Sequence, residues 1–329
     1  MSPSKRRAPI KSRSLTALSH LDLENLVVAL FAEQSRAWPN AFYALGYRLH
    51  YFDASISLLM PTGAHRDIRP DAIGHHPGRN IALVIECKTG SDIGIHQVPE
   101  GGRESADQWA EAISIPRGSL ITPKVHGLLM AEMAHLIPKL DEIERASLSW
   151  LRVEPGFPVD PNNLPDDRIQ SAMANLPRTP WPRSYVPYSY DTTNIEDLER
   201  VIAAIGPLIL EAAYKGQVYV EADALARRTH DAVWSVSDKH RRTGWTSAAA
   251  KALETLATGK LRDFVAYDRT LKRIKLLHVR AGIGTDARTM AALKKAITAG
   301  HRRAQLRARR VAATTPTAMQ TTLFPDDEL

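Results

Sequence analysis

The stretch that decides the fold is Asn80–Lys88, which reads NIALVIECK. Residues 81–85 are all apolar, and a strand that is apolar on both faces is typical of the buried centre of an α/β sheet. Alternate side chains of a strand share a face, so Glu86 and Lys88 are predicted to point one way and Cys87 the other. The stretch therefore predicts a central strand that ends in a polar pair, at the sheet edge where open sheets usually carry their sites.

An acidic residue precedes this strand at a distance that suits a hairpin. Pro70 and Asp71 are followed by a turn-like stretch, 74–78, that would return the chain as the neighbouring strand. Asp71 and Glu86 would then lie on adjacent strands, with the amine of Lys88 beside them. Two carboxylates can hold a hard divalent cation, and an adjacent ammonium can position a water or hydroxide. The pattern predicts metal-assisted phosphodiester hydrolysis, and a solvated charge pair at a strand end is the plain alternative.

Pro70-Asp71 followed by Glu86-x-Lys88 resembles the signature of the PD-(D/E)XK nuclease superfamily. The resemblance covers about residues 20–153 and implies the α/β, restriction-endonuclease-like fold, in which helices flank a mixed central sheet. It further implies that Asp71 and Glu86 bind Mg²⁺, with Mn²⁺ as a substitute, and that Lys88 helps to activate the attacking water. The backbone carbonyl of Cys87 is implied as an additional metal ligand.

Two accessory residues are candidates for the same site. Glu24 flanks the apolar stripe of the first predicted helix and could point into the site, as a first-helix glutamate does in some families of this superfamily. The alternative is an acid favoured by the helix dipole. Gln108 could contact the water, Lys88 or DNA from the helix after the signature strand, and a solvated helix face is its alternative. Asp67 competes with Asp71 as the first acid, but the adjacent proline favours Asp71.

Local periodicity predicts the other elements of the first half. Asp22 is the expected N-cap of a helix that contains Leu23, Leu26 and Val27. The remaining predictions are strands at 42–52, 56–60, 119–122 and 148–153, and helices at 105–113 and 127–145.

Helices predicted at 194–214, 222–229 and 248–258 precede two strand-like runs, 261–267 and 272–279. This order predicts a smaller winged helix-turn-helix-like domain that binds DNA, and a small α+β dimerisation domain is the alternative. The expected phosphate contacts are Lys239, Arg241, Arg242, Lys272, Arg273, Lys275, Arg302 and Arg303.

The predicted organisation has six parts. They are a basic disordered arm (1–15), a nuclease domain (16–154), a proline-rich linker (155–190), the winged-helix-like domain (191–285), a basic helix (286–311) and a disordered tail (312–329).

Composition favours a polyanionic partner. The chain has 329 residues, 43 Lys and Arg against 36 Asp and Glu, and a formal net charge of +7. The single cysteine excludes an intrachain disulfide and any multi-cysteine metal site, and it fits a reducing, cytoplasmic location. No signal peptide or membrane-spanning run is recognisable, so no membrane partner is expected.

Two further observations concern partners. The chain lacks the phosphate-cradling G-x-x-x-x-G-K-[ST] motif, so any motor that cleavage requires would be another protein. The tail segment 320–324 (QTTLF) resembles the short motif by which bacterial replication and repair proteins bind the sliding clamp. Gln320 would fix the register, and Leu323 and Phe324 would anchor in a pocket. An ordinary tail is the alternative.

These features predict a metal-dependent DNA nuclease, expected as an endonuclease, in restriction or defence, repair or mobile-element processing. Two alternatives stay open: a non-catalytic DNA-binding or regulatory protein on a nuclease-like scaffold, and a nuclease subunit that is active only in a larger assembly. The target sequence or structure, RNA as a substrate, exonuclease action and a homodimer also stay open.

Overall fold

The chain alternates between strands and helices through most of its length. The structure, a computed structural model, describes residues 18–33, 38–60, 62–89, 98–99, 105–114, 123–154, 157–162, 164, 167–190, 195–259 and 261–298. The strands are β1 (Arg48–Phe52), β2 (Ile56–Leu59), β3 (His65–Ile68), β4 (Ala72–His76), β5 (Ile81–Lys88), β6 (Lys124–Ala131), β7 (Ser149–Glu154), β8 (Phe157–Asn162), β9 (Tyr219–Glu221), β10 (Val265–Asp268) and β11 (Arg273–Leu276). The helices are α1 (His20–Phe31), α2 (Ala41–Ala44), α3 (Ala106–Ser114), α4 (Met133–Leu136), α5 (Leu140–Arg145), α6 (Asp167–Ala174), α7 (Ile195–Tyr214), α8 (Ala222–Thr229), α9 (Asp231–Trp234), α10 (Lys239–Thr258) and α11 (287–298), with a 3-10 turn at Ile137–Lys139.

A six-stranded mixed sheet organises the first half, in the order β1-β4-β5-β6-β7-β8. The pairs β5–β6 and β6–β7 are parallel, and the other neighbours are antiparallel. Residues 81–87 of β5 are all buried, as the apolar run predicts. The predicted coarse class, α/β with a mixed central sheet flanked by helices, is therefore confirmed.

Side-chain alternation along β5 divides the core into two layers. Leu83, Ile85 and Cys87 belong to the apolar cluster that includes the buried face of α1. Ala82 and Val84 belong to a second cluster, which includes Trp109 and Ile113 of α3. Glu86 and Lys88 lie on the same face of β5 as Val84, at the end of the strand where the apolar run stops.

The C-terminal part consists of helices and a small sheet. Helix α10 packs against α7 and α8, and β10, β11 and β9 form an antiparallel sheet in that order. The helices 195–214 and 222–229 and the hairpin of β10 and β11 agree with the predictions. Helix α10 begins at Lys239 instead of Ala248, because Asp238 caps it by accepting from the backbone N–H of Arg241.

The segment 155–190 is not a linker where the structure describes it. Strand β8 pairs with β7 as the edge of the main sheet, a position where prolines are tolerated because one side of the strand needs no partner. Trp181 and Tyr188 are buried, and the indole N–H of Trp181 donates to the carbonyl of Asp22 at 2.8 Å. Aromatic burial therefore joins this proline-rich stretch to α1.

Three further predictions need correction. The helix expected at 127–145 is the end of strand β6 up to Ala131 and only then helical, as α4, a 3-10 turn and α5, because an apolar run buried on both faces lacks a helical stripe. Ser19, not Asp22, caps α1, and Asp22 completes a capping box as the third helical residue. The aromatic run 42–52 begins as α2 and becomes β1 after Gly46, whose φ of 97° suits glycine.

Other predictions fall outside the described residues. They concern the arm 1–15, the strand 119–122, Arg302, Arg303 and the tail with Gln320, Leu323 and Phe324. Within the described ranges, no helix has both the length and the hydropathy that crossing a bilayer requires.

Candidate active site

The ends of β4 and β5 bring the three signature residues together. Ala72 pairs with Ile85 in the antiparallel register, which places Asp71 opposite Glu86. The backbone N–H of Cys87 donates to Asp71 Oδ2 at 2.6 Å. The Lys88 ammonium donates to Glu86 Oε1 at 2.5 Å, so these two side chains share a face as predicted. An acid–acid–lysine cluster therefore forms at one corner of the sheet.

Burial makes this corner electrostatically unusual. The side chain of Glu86 is almost completely buried, and its Oε2 atom has no hydrogen-bond partner among the described residues. Burial and the neighbouring Asp71 charge raise the pKa of Glu86 to about 8, although Lys88 acts in the opposite direction. An unpartnered buried carboxylate oxygen is costly, and a bound cation would relieve that cost. The corner therefore fits a divalent cation.

Helix α1 adds two side chains to the cluster. His20 Nε2 lies 3.1 Å from Asp71 Oδ1 and 3.7 Å from Glu24 Oε1. Burial lowers the pKa of His20, but the hydrogen bond and charge of Asp71, with the charge of Glu24, raise it to about 9. The structure thus places Glu24 beside His20, which also contacts Asp71. His20 was not among the predicted residues, although a histidine four positions before a glutamate shares its helix face.

Cys87 faces the core, as the alternation predicts. It is 1% exposed, and burial raises the pKa of its thiol well above the ordinary value. The thiol is therefore unsuited to act as a nucleophile, and only the backbone of this residue belongs to the site.

Gln108 has a different role from the one predicted. Its Oε1 accepts from the backbone N–H of Ser105 at 2.8 Å, and its Nε2 donates to the carbonyl of Leu59 at 2.7 Å. The Nε2 end of the amide therefore connects α3 to β2, whereas the Oε1 end closes the start of α3 itself. Among the described contacts, Gln108 touches neither Lys88 nor the carboxylates. Sequence periodicity identified its helix but not the strand on which that helix packs.

Asp67 lies in a different part of the fold from Asp71. It is exposed on β3, in a separate two-stranded sheet with β2, whereas Asp71 is buried beside β5. Asp71 is thus the acid that meets Glu86.

Arg241 is not available for the predicted phosphate contact. It is 4% exposed, and its guanidinium donates to Glu24 Oε1 at 2.6 Å and to the carboxylate of Asp53. The guanidinium carbon also lies 4.8 Å from the ring centroid of Tyr190. A run of basic residues at the start of a helix places its members on different faces, and Arg241 occupies the buried one. Asp53 was not predicted.

The other predicted DNA contacts differ in exposure. Lys239, Lys272 and Lys275 are exposed, and Arg242 is partly exposed and donates to the carbonyl of Asp238. Arg273 lies 3.6 Å from Asp268 and over the ring of Tyr219. Three of the predicted contact residues are therefore accessible at the surface, whereas Arg242 and Arg273 already have partners within the protein.

The side-chain ligands for a metal are few. Among the residues that the structure describes, no group of three or more His, Cys, Asp or Glu side chains is arranged to hold a metal ion. Asp71 and Glu86 are then the carboxylates available, with a backbone carbonyl and water to complete the shell. Mg²⁺ accepts such a set, because it usually keeps several waters and uses one or two carboxylates.

Comparison with known proteins adds no relative. No family model, curated protein or solved structure matches the chain.

Proposed function

We propose that the protein is a metal-dependent deoxyribonuclease of the PD-(D/E)XK type, on a restriction-endonuclease-like sheet with a winged-helix-like C-terminal part. One observation carries the proposal. Asp71 and Glu86 lie opposite each other at the ends of adjacent strands, with Lys88 bonded to Glu86 and Glu86 Oε2 unpartnered. A buried acid pair with one unused oxygen has the composition of a site for a hard cation.

The residues divide the chemistry between them. Asp71 and Glu86 would hold Mg²⁺ or Mn²⁺, and the backbone N–H of Cys87 holds Asp71 Oδ2 in place at 2.6 Å. When bound, the cation supplies a Lewis acid for a phosphate oxygen and a lowered pKa for a water. Lys88 keeps its ammonium beside Glu86, where it can orient a water or a phosphate oxygen. His20 carries a positive charge next to Asp71 at neutral pH and adds to the attraction for a polyanion.

DNA is the proposed substrate because of charge and element order. The net charge of +7 favours a polyanion, and Lys239, Lys272 and Lys275 are exposed on the C-terminal part. The three longer helices α7, α8 and α10, followed by the hairpin of β10 and β11, match the order of a winged helix, which binds duplex DNA. Contacts by Arg302 and Arg303, clamp binding through the tail and a cytoplasmic location remain predictions.

Cleavage assays test the proposal directly. Linear, supercoiled, branched and single-stranded DNA are incubated with the purified protein and Mg²⁺, Mn²⁺ or EDTA. The wild type is expected to cleave with either metal and not with EDTA, and Asp71→Asn and Lys88→Ala are expected to abolish cleavage while gel-shift binding persists. Asp67→Asn and Lys124→Ala are matched controls, because both residues are exposed and lie outside the cluster. If Asp67→Asn lost as much cleavage as Asp71→Asn, or Lys124→Ala as much as Lys88→Ala, the assignment of the site would be contradicted.

A non-catalytic DNA-binding scaffold is the second candidate, and one observation favours it. Each carboxylate already has a protein cation, since Lys88 contacts Glu86 and His20 contacts Asp71. Such pairs would neutralise the corner without a metal. DNA binding by the folded wild type without cleavage under any metal, substrate or added cell extract would support this candidate. Cleavage only with the extract would instead indicate a subunit of a larger assembly.

A further inference from the structure

Helix α10 reaches from the C-terminal part to the candidate active site. Arg241, in its first turn, is buried between two carboxylates from different elements, Glu24 of α1 and Asp53 after β1. The segments before α10 and at the end of β1 also meet at the backbone, where the N–H of Phe52 donates to the carbonyl of Val236 at 3.0 Å. The planar guanidinium can serve both carboxylates at once, which a lysine ammonium cannot do with the same fixed geometry.

Both carboxylate residues are linked to Asp71, Asp53 directly through its backbone and Glu24 through His20. The backbone N–H of Asp53 donates to the carbonyl of Asp71 at 2.8 Å. Glu24 and Asp71 both contact His20, at 3.7 and 3.1 Å. Asp53 has a φ of 43°, a left-handed conformation that a non-glycine residue keeps only when its surroundings impose it. Arg241 supplies part of that constraint through the Asp53 side chain.

The cap of the same helix holds the chain on the other side of Asp71. Asp238 accepts from the backbone N–H of Arg241 at 2.7 Å and from the guanidinium of Arg69 at 2.7 Å. Arg69 is two residues before Asp71 and also lies 3.5 Å from Asp53. The first turn of α10 therefore contacts the Asp71 segment through two separate side chains.

We propose that Arg241, together with Asp238, is a positioning residue of the active site, through which α10 holds Asp53, Glu24 and the Asp71 segment in the arrangement that catalysis needs. This inference rests on the proposed nuclease function and deepens it. Its consequence is that the site is incomplete without the C-terminal helices. The first turn of α10 thus carries both the exposed Lys239, which is proposed to touch DNA, and Arg241, which joins the helix to the segment of the acid that would bind the metal.

Two substitutions and one control test the inference. Arg241→Lys keeps the charge but loses the planar fork, and Arg241→Met removes the charge. Lys251→Met removes one charge from an exposed position of the same helix. Three quantities are measured: kcat and KM for cleavage with Mg²⁺, DNA affinity in EDTA, and amide hydrogen exchange of peptides that contain Asp53 and Cys87, whose N–H groups both donate to Asp71.

Arg241→Lys is expected to fold, to lower kcat by about 10- to 100-fold and to leave DNA affinity unchanged. Exchange at the Asp53 and Cys87 amides should rise by roughly tenfold, because local opening becomes easier. Lys251→Met should leave exchange at both amides unchanged. A folded Arg241→Lys protein with the kcat and the exchange of the wild type would overturn the inference.

Loss of folding in Arg241→Met is separated from loss of positioning by a double variant. Asp53→Asn together with Arg241→Met removes one of the two carboxylates that the arginine neutralises, so folding should be recovered while kcat stays low. Recovery of kcat as well would mean that Arg241 only neutralises charge, which refutes the positioning role. If the wild type cleaves no DNA, the proposed function fails, and exchange at Asp53 and Cys87 still decides whether α10 holds this segment.

Discussion

Replacement of Glu86 by glutamine should change how the stability of the metal-free protein depends on pH. The pKa of Glu86 is about 8 in the folded protein against an ordinary value of 4.5, because of burial and the Asp71 charge. Between these two values the folded state holds a proton that the unfolded state has lost. The free energy of unfolding therefore falls as pH rises from 4.5 to 8, and Glu86→Gln removes this contribution.

The expected magnitude follows from the pKa difference. Each pKa unit corresponds to about 1.4 kcal/mol, so the rise from 4.5 to about 8 corresponds to about 4 to 5 kcal/mol. Glu86 is only 3% exposed, so solvent screens this effect little. A change of this size is a large part of the 5 to 15 kcal/mol by which domains are usually stable. The raised pKa of His20 also lowers the free energy of unfolding as pH rises from 6.5 to 9. His20 is present in both the wild type and Glu86→Gln, so its contribution cancels in the comparison.

Denaturant unfolding in EDTA at pH 5, 7 and 9 measures the effect. The stability of Glu86→Gln relative to the wild type should increase by about 4 kcal/mol from pH 5 to pH 9, whatever its starting value. Glu111→Gln, at an exposed position of α3, should show no such trend. If the stability difference between Glu86→Gln and the wild type changes by less than about 1 kcal/mol between pH 5 and pH 9, the description of Glu86 as a buried acid is refuted.

Addition of Mg²⁺ extends the same assay to the proposed metal site. A ligand at 100 times its dissociation constant stabilises the folded state by about 2.7 kcal/mol. The wild type should gain such stabilisation, most strongly at pH 9 where Glu86 is ionised, and Glu86→Gln should gain little. Equal stabilisation of both proteins would place the metal elsewhere.

Three other substitutions test the parts of the fold that support the site. Gly74→Ala should destabilise by about 1 to 3 kcal/mol, because its Cβ would lie 2.3 Å from the Phe31 ring; a denaturant midpoint equal to that of the wild type would contradict this packing. Ser19→Ala should lower stability by about 1 kcal/mol through loss of the α1 cap, measured by thermal unfolding, and Ser247→Ala, at an exposed position, is its control. Burial lowers the pKa of His230 to about 4, so stability should fall by up to about 3 kcal/mol as pH decreases from 6.5 to 4; His230→Gln should lack this loss, and parallel pH profiles would contradict it.

Local pattern was sufficient for the centre of the site. Five consecutive apolar residues, 81–85, identify β5, and strand alternation places Glu86 and Lys88 together and Cys87 in the core. The turn between β4 and β5 is short, so a hairpin pairing brings Asp71 opposite Glu86. Each of these relations joins residues that are close in the chain, where period and loop length leave few alternatives.

Local pattern failed where a run of residues is compatible with two structures. Residues 127–131, in the second half of β6, lack charged side chains and are buried on both faces, so their periodicity did not distinguish a helix from a parallel strand. The proline-rich stretch was interpreted as a linker because proline opposes regular structure, but an edge strand and buried aromatic residues accept it. Neither choice can be made without knowing which surfaces the segment contacts.

By itself, the sequence determined the central strand, the acid–acid–lysine corner and the coarse α/β class, because these depend on neighbouring residues and on the alternation of side chains. Only the tertiary structure decided that His20 and Arg241 belong to this corner. Arg241 is 217 residues from Glu24 and 188 residues from Asp53, and no local pattern indicates which of several basic residues will be buried. Its partners were selected by the packing of α10 against the first half, where a guanidinium removed from water must meet carboxylates.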